Sequence, residues 1–206
     1  LAAQLTEYAH RGDVLVLGLP RGGVPVAYEV AQVLDAPLDV CLVRKLGVPE
    51  HKELAMGAIS TGGVRIINEN VVDCLSIPQQ TIDAVAARET LELQRRNRVY
   101  RGDRPLLNVR NHTIILVDDG IATGATIKAA IATIKHQQPR ELVLAIPVAG
   151  VSTCEELASE VNKVVCVMMP ENLYAIGMWY ENFAQTTDAE VCELVSRQKQ
   201  LIANES

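Results

Sequence analysis

Two hydrophobic periods alternate along the chain. Short apolar runs, most of them rich in Val, Ile and Leu, occupy residues 14–19, 38–43, 55–60, 64–67, 113–117, 141–147 and 163–167. Several are apolar on both faces, as strands of a sheet covered by helices on both sides must be. Between the runs, apolar residues return at helical spacing. Val26, Ala27, Val30 and Leu34 form one stripe, Ile127, Ala130, Ile131 and Ile134 another, and Cys154, Leu157, Ala158 and Val161 a third. Each stripe predicts a helix lying flat on the sheet. The succession predicts an α/β fold, a Rossmann-like parallel sheet with flanking helices. Two helix starts carry a pattern in which a hydroxyl caps a free backbone N–H and a carboxylate reaches back: Ser152 with Glu155, and Thr187 with Glu190. The second opens a last helix over about 188–202. Residues 78–100 break the alternation with a long, charge-rich helical pattern, Arg88, Arg95, Arg96 and Arg98 among Glu89 and Glu92. They predict a helical insertion or flap around 78–104, outside the core. No repeat and no Pro/Gly/Ser linker divides the chain, so residues 1–206 read as one domain.

Composition then excludes several classes. The chain has 19 basic and 25 acidic side chains, a net charge of −6, which argues against a generally basic nucleic-acid binder. The Arg-rich segment, with its interleaved acids, reads as a solvated helix face rather than an RNA surface. With 49% hydrophobic residues the chain can bury a core. No apolar run approaches the roughly 20 residues that a helix needs to cross a bilayer. Five widely spaced cysteines without a CxxC pair suggest neither a disulfide framework nor a zinc ribbon, so a reducing, cytoplasmic compartment is expected. The four histidines show no metal-ligand spacing. The chain begins at Leu1, which leaves room for a trimmed leader and its targeting signal.

The richest stretch for chemistry runs from Ile114 to Thr126, Ile-Ile-Leu-Val-Asp-Asp-Gly-Ile-Ala-Thr-Gly-Ala-Thr. A buried strand ends in two carboxylates, and a small-residue turn then opens a helix. In an open α/β sheet, ligands sit beyond the carboxyl ends of the strands. Small residues before a helix N-terminus offer free N–H groups to a phosphate, here across Ala122, Thr123, Gly124, Ala125 and Thr126. Asp118 and Asp119 can accept the hydrogen bonds of a vicinal diol, and together the pieces describe a ribose 5-phosphate. The plain alternative is a strand–turn–helix in which the Asp pair caps the helix.

This stretch resembles the phosphoribosyl-pyrophosphate signature of the type I phosphoribosyltransferases, in which four apolar residues precede two acids and a Thr-Gly-x-Thr phosphate loop. A second element, Leu19-Pro20-Arg21-Gly22-Gly23, again lies between a strand and a helix. Its glycines permit close approach to an anion, and Arg21 can donate to it in a fork. In the resembled family this is the pyrophosphate loop, often with a non-proline cis peptide. Taken alone, it reads equally as a tight turn with an exposed Arg. A third element, Arg44-Lys45 followed by Leu46–Lys52, is similar to the Arg-Lys that opens the mobile catalytic loop of adenine and orotate phosphoribosyltransferases. Its plain alternative is a solvated basic turn, and His51 within it is a weaker candidate for protonating a leaving group. All three elements are expected on the same edge of one sheet.

The resemblance implies the type I phosphoribosyltransferase fold with a small hood region, and a Mg²⁺-dependent transfer of ribose 5-phosphate to a nitrogen acceptor, most simply a nucleobase. Asp118 and Asp119 would hold the 2′ and 3′ hydroxyls, and Mg²⁺ indirectly, through water and substrate. Ala122–Thr126 would bind the 5-phosphate, and Arg21, Gly22, Gly23, Arg44 and Lys45 would serve the pyrophosphate. The 6-oxopurine branch has an Asp where Ala122 stands, so this chain is closer to the adenine and orotate branches. The only Trp, the only Phe and two of the five Tyr cluster in residues 170–183. Tyr174 and Trp179 are the candidates for stacking on a base, with a hydrophobic plug or dimer contact as the alternative. Small-molecule substrates are the expected partners, and a homodimer the commonest assembly. Two other readings stay open: a non-enzymatic regulatory protein that binds phosphoribosyl pyrophosphate or a nucleotide on the same fold, and a hydrolase of phosphorylated sugars or nucleotides.

Overall fold

The computed structural model describes residues 1–106, 108–122 and 124–204, with the side chains of 52, 53 and 199–204 left aside. Its strands, in chain order, are β1 (Val14–Gly18), β2 (Leu38–Val40), β3 (Val43–Val48), β4 (His51–Ser60), β5 (Arg65–Ile67), β6 (Thr113–Val117), β7 (Glu141–Val148) and β8 (Lys163–Met168). Its helices are α1 (Gly23–Leu34), α2 (Glu69–Cys74), α3 (Gln79–Arg101), α4 (Ala125–His136), α5 (Val151–Ala158) and α6 (Asp188–Asn204). Two compact units emerge, one of residues 1–41, 107–124 and 138–206, the other of residues 42–106 and 125–137.

The first unit is built on a five-stranded sheet in the order β2-β1-β6-β7-β8, with every neighbouring pair parallel. The apolar runs explain it. Both β1 and β6 are buried along their whole length, and Ile114, Ile115 and Leu116 lose all contact with solvent. Each such side chain contributes roughly 1.5–3 kcal/mol by burial. Helix α1 packs on β1 and β2 through Val24, Ala27, Val30, Ala31 and Leu34, and α6 packs against α1 and β2. Helix α5 covers β8 through Cys154 and Leu157.

The second unit holds an antiparallel sheet in the order β3-β4-β5, which corrects the sequence reading. The run 38–43 is not one strand. It stops pairing at Val40, and Val43 begins a different sheet. The runs 55–60 and 64–67 form a hairpin rather than parallel strands, and β4 starts earlier, at His51. Arg44 and Lys45 therefore lie inside β3, paired with Ile59 and Ala58, in a different sheet from the one that carries the other two elements. The expected loop 46–52 is mostly strand, turning at Pro49-Glu50.

Helix α4 also belongs to this unit. Its buried face, with Ile127, Ala130, Ile131 and Ile134, packs on β3 and β4, not flat on the parallel sheet. The long helix at 78–100 forms as α3, yet it is no flap. It packs on β3 and β4 and buries Ile82, Val85, Ala86, Leu93 and Tyr100. Its outward charges pair along the helix, Arg95 and Arg96 with Glu92, and Arg88 with Glu89. Of the two expected capping boxes only Thr187–Glu190 forms. The Glu190 N–H donates to Thr187 Oγ1 (3.2 Å) while the Thr187 N–H donates to Glu190 Oε2 (2.6 Å). At α5 the extended Gly150 is the cap and the helix already starts at Val151, so Ser152 falls inside the first turn.

Candidate active site

The strand order of the parallel sheet reverses between β1 and β6: the chain leaves β1 for β2 on one side and later builds β6, β7 and β8 on the other. Such a switch point opens a crevice beyond the carboxyl ends of the two strands. Gly18 and Val117 are register partners, and the Leu19 N–H donates to the Val117 carbonyl (2.9 Å). The turns 19–23 and 118–120 therefore leave the sheet side by side.

The first turn folds directly into α1. Gly23 N–H donates to the Leu19 carbonyl (3.0 Å) and Val24 N–H to the Arg21 carbonyl (3.1 Å). The Pro20–Arg21 peptide is cis. At the next two positions a side chain would run into what lies opposite. A Cβ on Gly22 would stand 1.9 Å from Oδ2 of Asp119, and one on Gly23 would stand 2.8 Å from the Asp118 Cα and 3.0 Å from its Oδ1. The glycine backbone thus lies directly against both carboxylates, and the two elements first noted in the sequence form one place in space.

Asp118 accepts the Asp119 N–H at Oδ1 (2.9 Å). Burial, followed by the neighbouring Asp119 charge, pushes the Asp118 carboxyl well above the usual carboxylate range. Burial pushes Asp119 in the same direction. The pair therefore gathers negative charge poorly on its own and would welcome hydroxyl donors or a cation.

A C-terminal segment covers this corner. Ile176 packs over Gly120, where a Cβ would come within 2.7 Å of its Cγ2. Tyr180 donates its hydroxyl to the Asp119 carbonyl (2.5 Å) and sets its ring 5.1 Å from that of Phe183. Burial and the two Asp charges push the Tyr180 phenol up to about 12, so it stays a donor at neutral pH. Arg21, Gly22, Asp119, Tyr180, Asn182 and Phe183 line a cavity of about 650 Å³. Arg21 reaches Asp188 at the start of α6, 3.7 Å away.

The structure treats the other sequence candidates unevenly. Tyr174 is 86% exposed, and among the described lining residues of the cavity neither it nor Trp179 occurs. Tyr180 and Phe183, from the same aromatic cluster, line it instead. Sequence reasoning missed Tyr180 because its partner lies 61 positions away; the aromatic cluster marked the region but not the residue. Arg44 is engaged by Glu89 through two bonds, 2.9 and 2.6 Å, which sets it within the second unit's own ion pairs. Lys45 lies beside it in β3, and the exposed His51 opens β4. Ala122 and Thr126 are exposed, Gly124 is buried, and Ala125 is the first residue of α4. Thr123 lies outside the described residues. Among the described residues no group of three or more His, Cys, Asp or Glu side chains could hold a metal by itself, and no helix is long and apolar enough to cross a membrane.

Residues 1–172 match the family model of the phosphoribosyl transferase domain. A Mycobacterium tuberculosis H37Rv protein, provisionally named a phosphoribosyl transferase, is 44% identical over 197 residues, 96% of this chain but 44% of that protein. The chain thus spans less than half the length of that relative. The bifunctional protein PyrR of Chloroflexus aurantiacus is 30% identical over 130 residues, 61% of this chain and 65% of its own. The crystal structure of TT1426 from Thermus thermophilus superposes with a TM-score of 0.86 at 36% identity, covering 96% of this chain and 95% of that one. The acid pair at the switch point, the glycine turn against it and the match over most of the chain lead to one conclusion: this chain belongs to the phosphoribosyl transferase domain family.

Proposed function

We propose that this chain transfers ribose 5-phosphate from phosphoribosyl pyrophosphate to a nitrogen acceptor, most simply a nucleobase, and releases pyrophosphate. The observation that carries this reading is the close approach of the Gly22-Gly23 backbone to the Asp118 and Asp119 carboxylates. A sugar whose diol is held by the acids then has its anomeric substituent near the glycine turn. In the reaction the bond from the anomeric carbon to the pyrophosphate oxygen breaks and a bond to the acceptor nitrogen forms. The nitrogen's proton passes to pyrophosphate or solvent.

Asp118 and Asp119 accept the 2′ and 3′ hydroxyls, and their charge lies close to an anomeric carbon that becomes cationic as the leaving group departs. Arg21 and the backbone of Gly22 and Gly23 receive the growing charge of pyrophosphate. The residues that follow in the chain, Ala122–Thr126, take the 5-phosphate. Two adjacent carboxylates, with no third acidic, His or Cys ligand grouped with them among the described residues, suit Mg²⁺, which keeps several waters and takes one or two carboxylates plus substrate phosphates. When bound, the ion would neutralise phosphate charge.

The test is calorimetric binding of phosphoribosyl pyrophosphate with Mg²⁺, followed by pyrophosphate release over a panel of bases. Base-dependent release is the expected result. Binding without release from any base would shift the reading to a regulatory protein on the same fold, and no binding would overturn it.

A further inference from the structure

We infer that Tyr180 is a positioning residue for the acid pair: its hydroxyl, by holding the Asp119 carbonyl, sets the direction in which the Asp119 carboxylate meets a ribose diol. The inference rests on the transfer proposed above, which gives that carboxylate a diol to hold.

Asp119 lies past the end of β6, where the sheet ladder no longer fixes the backbone. Side chains take over that task, one on each side of its Cα. The Asp119 N–H donates to Asp118 Oδ1 (2.9 Å), and the Asp119 carbonyl accepts the Tyr180 hydroxyl (2.5 Å). Among the described residues no backbone N–H reaches that carbonyl. The two bonds orient the peptide planes before and after Asp119, and with them the two soft dihedrals that aim its side chain. There is little room for error in that aim, because the carboxylate ends against Gly22, where even a Cβ would stand 1.9 Å from Oδ2. By meeting the carbonyl rather than a carboxylate oxygen, the phenol orients the acid without competing for it.

The tyrosine is itself held. Its ring packs against that of Phe183, and Phe183 lies over Gly177, where a Cβ would come within 2.9 Å of its Cδ1. Ile176 of the same segment packs on Gly120, the residue that follows Asp119. The C-terminal segment thus grips the acid turn by one hydrogen bond and one apolar contact, and only the hydrogen bond acts on Asp119 itself. Its loss would leave a carbonyl unpaired and the Asp119 backbone free to turn.

The test is Tyr180→Phe, which keeps the ring and removes the oxygen. Ribose 5-phosphate and inorganic phosphate are titrated into the full chain and followed by phosphorus NMR. Both use the phosphate-binding residues assigned above and only the sugar reaches the acids, so the ratio of the two affinities isolates the diol. Wild type is expected to prefer the sugar phosphate. In Tyr180→Phe that preference should fall roughly 3- to 10-fold, the worth of one neutral hydrogen bond, with phosphate affinity and circular dichroism unchanged. Pyrophosphate release should fall at least as far, because charge beside the anomeric carbon counts most in the transition state. An unchanged ratio in the variant would overturn the inference. So would a loss shared equally by both ligands, the mark of a merely structural tyrosine, or a wild type that binds the sugar phosphate no better than phosphate. A preference lost in the variant, with no pyrophosphate release from wild type over the panel of bases, would uphold the positioning role and sink the transfer. Release by wild type with an unchanged ratio in the variant would do the reverse.

Discussion

Burial holds protons on Asp118 and Asp119 to higher pH than on an isolated aspartate, and on Asp118 the neighbouring Asp119 charge adds to the effect. A carboxyl with a raised native pKa binds its proton more tightly folded than unfolded, so it costs the native state stability as pH rises through that pKa. Asp118→Asn should therefore raise the melting temperature at pH 9, with the gain shrinking toward pH 4. Since 1 kcal/mol moves the midpoint by about 2–4 °C at this size, scanning calorimetry should read several degrees. The same substitution, combined with Asp119→Asn, should abolish pyrophosphate release, because a neutral amide cannot replace a paired acceptor for the diol; a turnover-competent double variant would sink the assignment. Gly22→Ala should leave circular dichroism near wild type but lower activity by on the order of 100-fold. Its methyl would take the position of an Asp119 oxygen, and small misplacements of reacting groups have that effect. These two elements were legible in the sequence because each is a local word, a few consecutive residues between a strand and a helix. Tyr180 was not, because its place follows from a segment returning across the sheet's edge to a backbone carbonyl that no spacing encodes.

Among the elements, the parallel strands were readable from apolar runs alone, and the antiparallel hairpin was not. A short buried run has the same pattern in either kind of sheet, and only pairing tells them apart. The stripe on α4 likewise predicted a buried face but not the sheet that receives it. Ile131, 2% exposed, anchors that face on β3 and β4. Ile131→Ala should cost about 2–5 kcal/mol in a denaturant titration, as buried aliphatic truncations do. At the start of α6 the reciprocal Thr187–Glu190 cap is exposed and local. Thr187→Ala should cost about 1 kcal/mol, visible as a lower urea midpoint with an unchanged slope.

On the scale of the whole molecule, the absence of a linker in the sequence reflects how the two units are threaded. The chain passes from one to the other near residues 41, 106, 124 and 137, so neither unit is a single continuous stretch. Replacing residues 42–106 by a short linker should not yield a smaller folded protein. It would strip α4 of β3 and β4 and expose Ile127, Ala130, Ile131 and Ile134 together, and aggregation on expression is the expected outcome. A monodisperse, folded product in gel filtration and circular dichroism would contradict the division of the core described here.

Trp179 does not line the cavity, yet its position has a practical use. It is the only tryptophan in the chain, 41% exposed, and it precedes by one residue the tyrosine that grips the Asp119 carbonyl. Emission excited at the red edge of protein absorption therefore comes from a single locus at the edge of the acid pair. The wild-type protein carries its own optical reporter, able to follow events at that corner in stopped flow without a label or an engineered fluorophore.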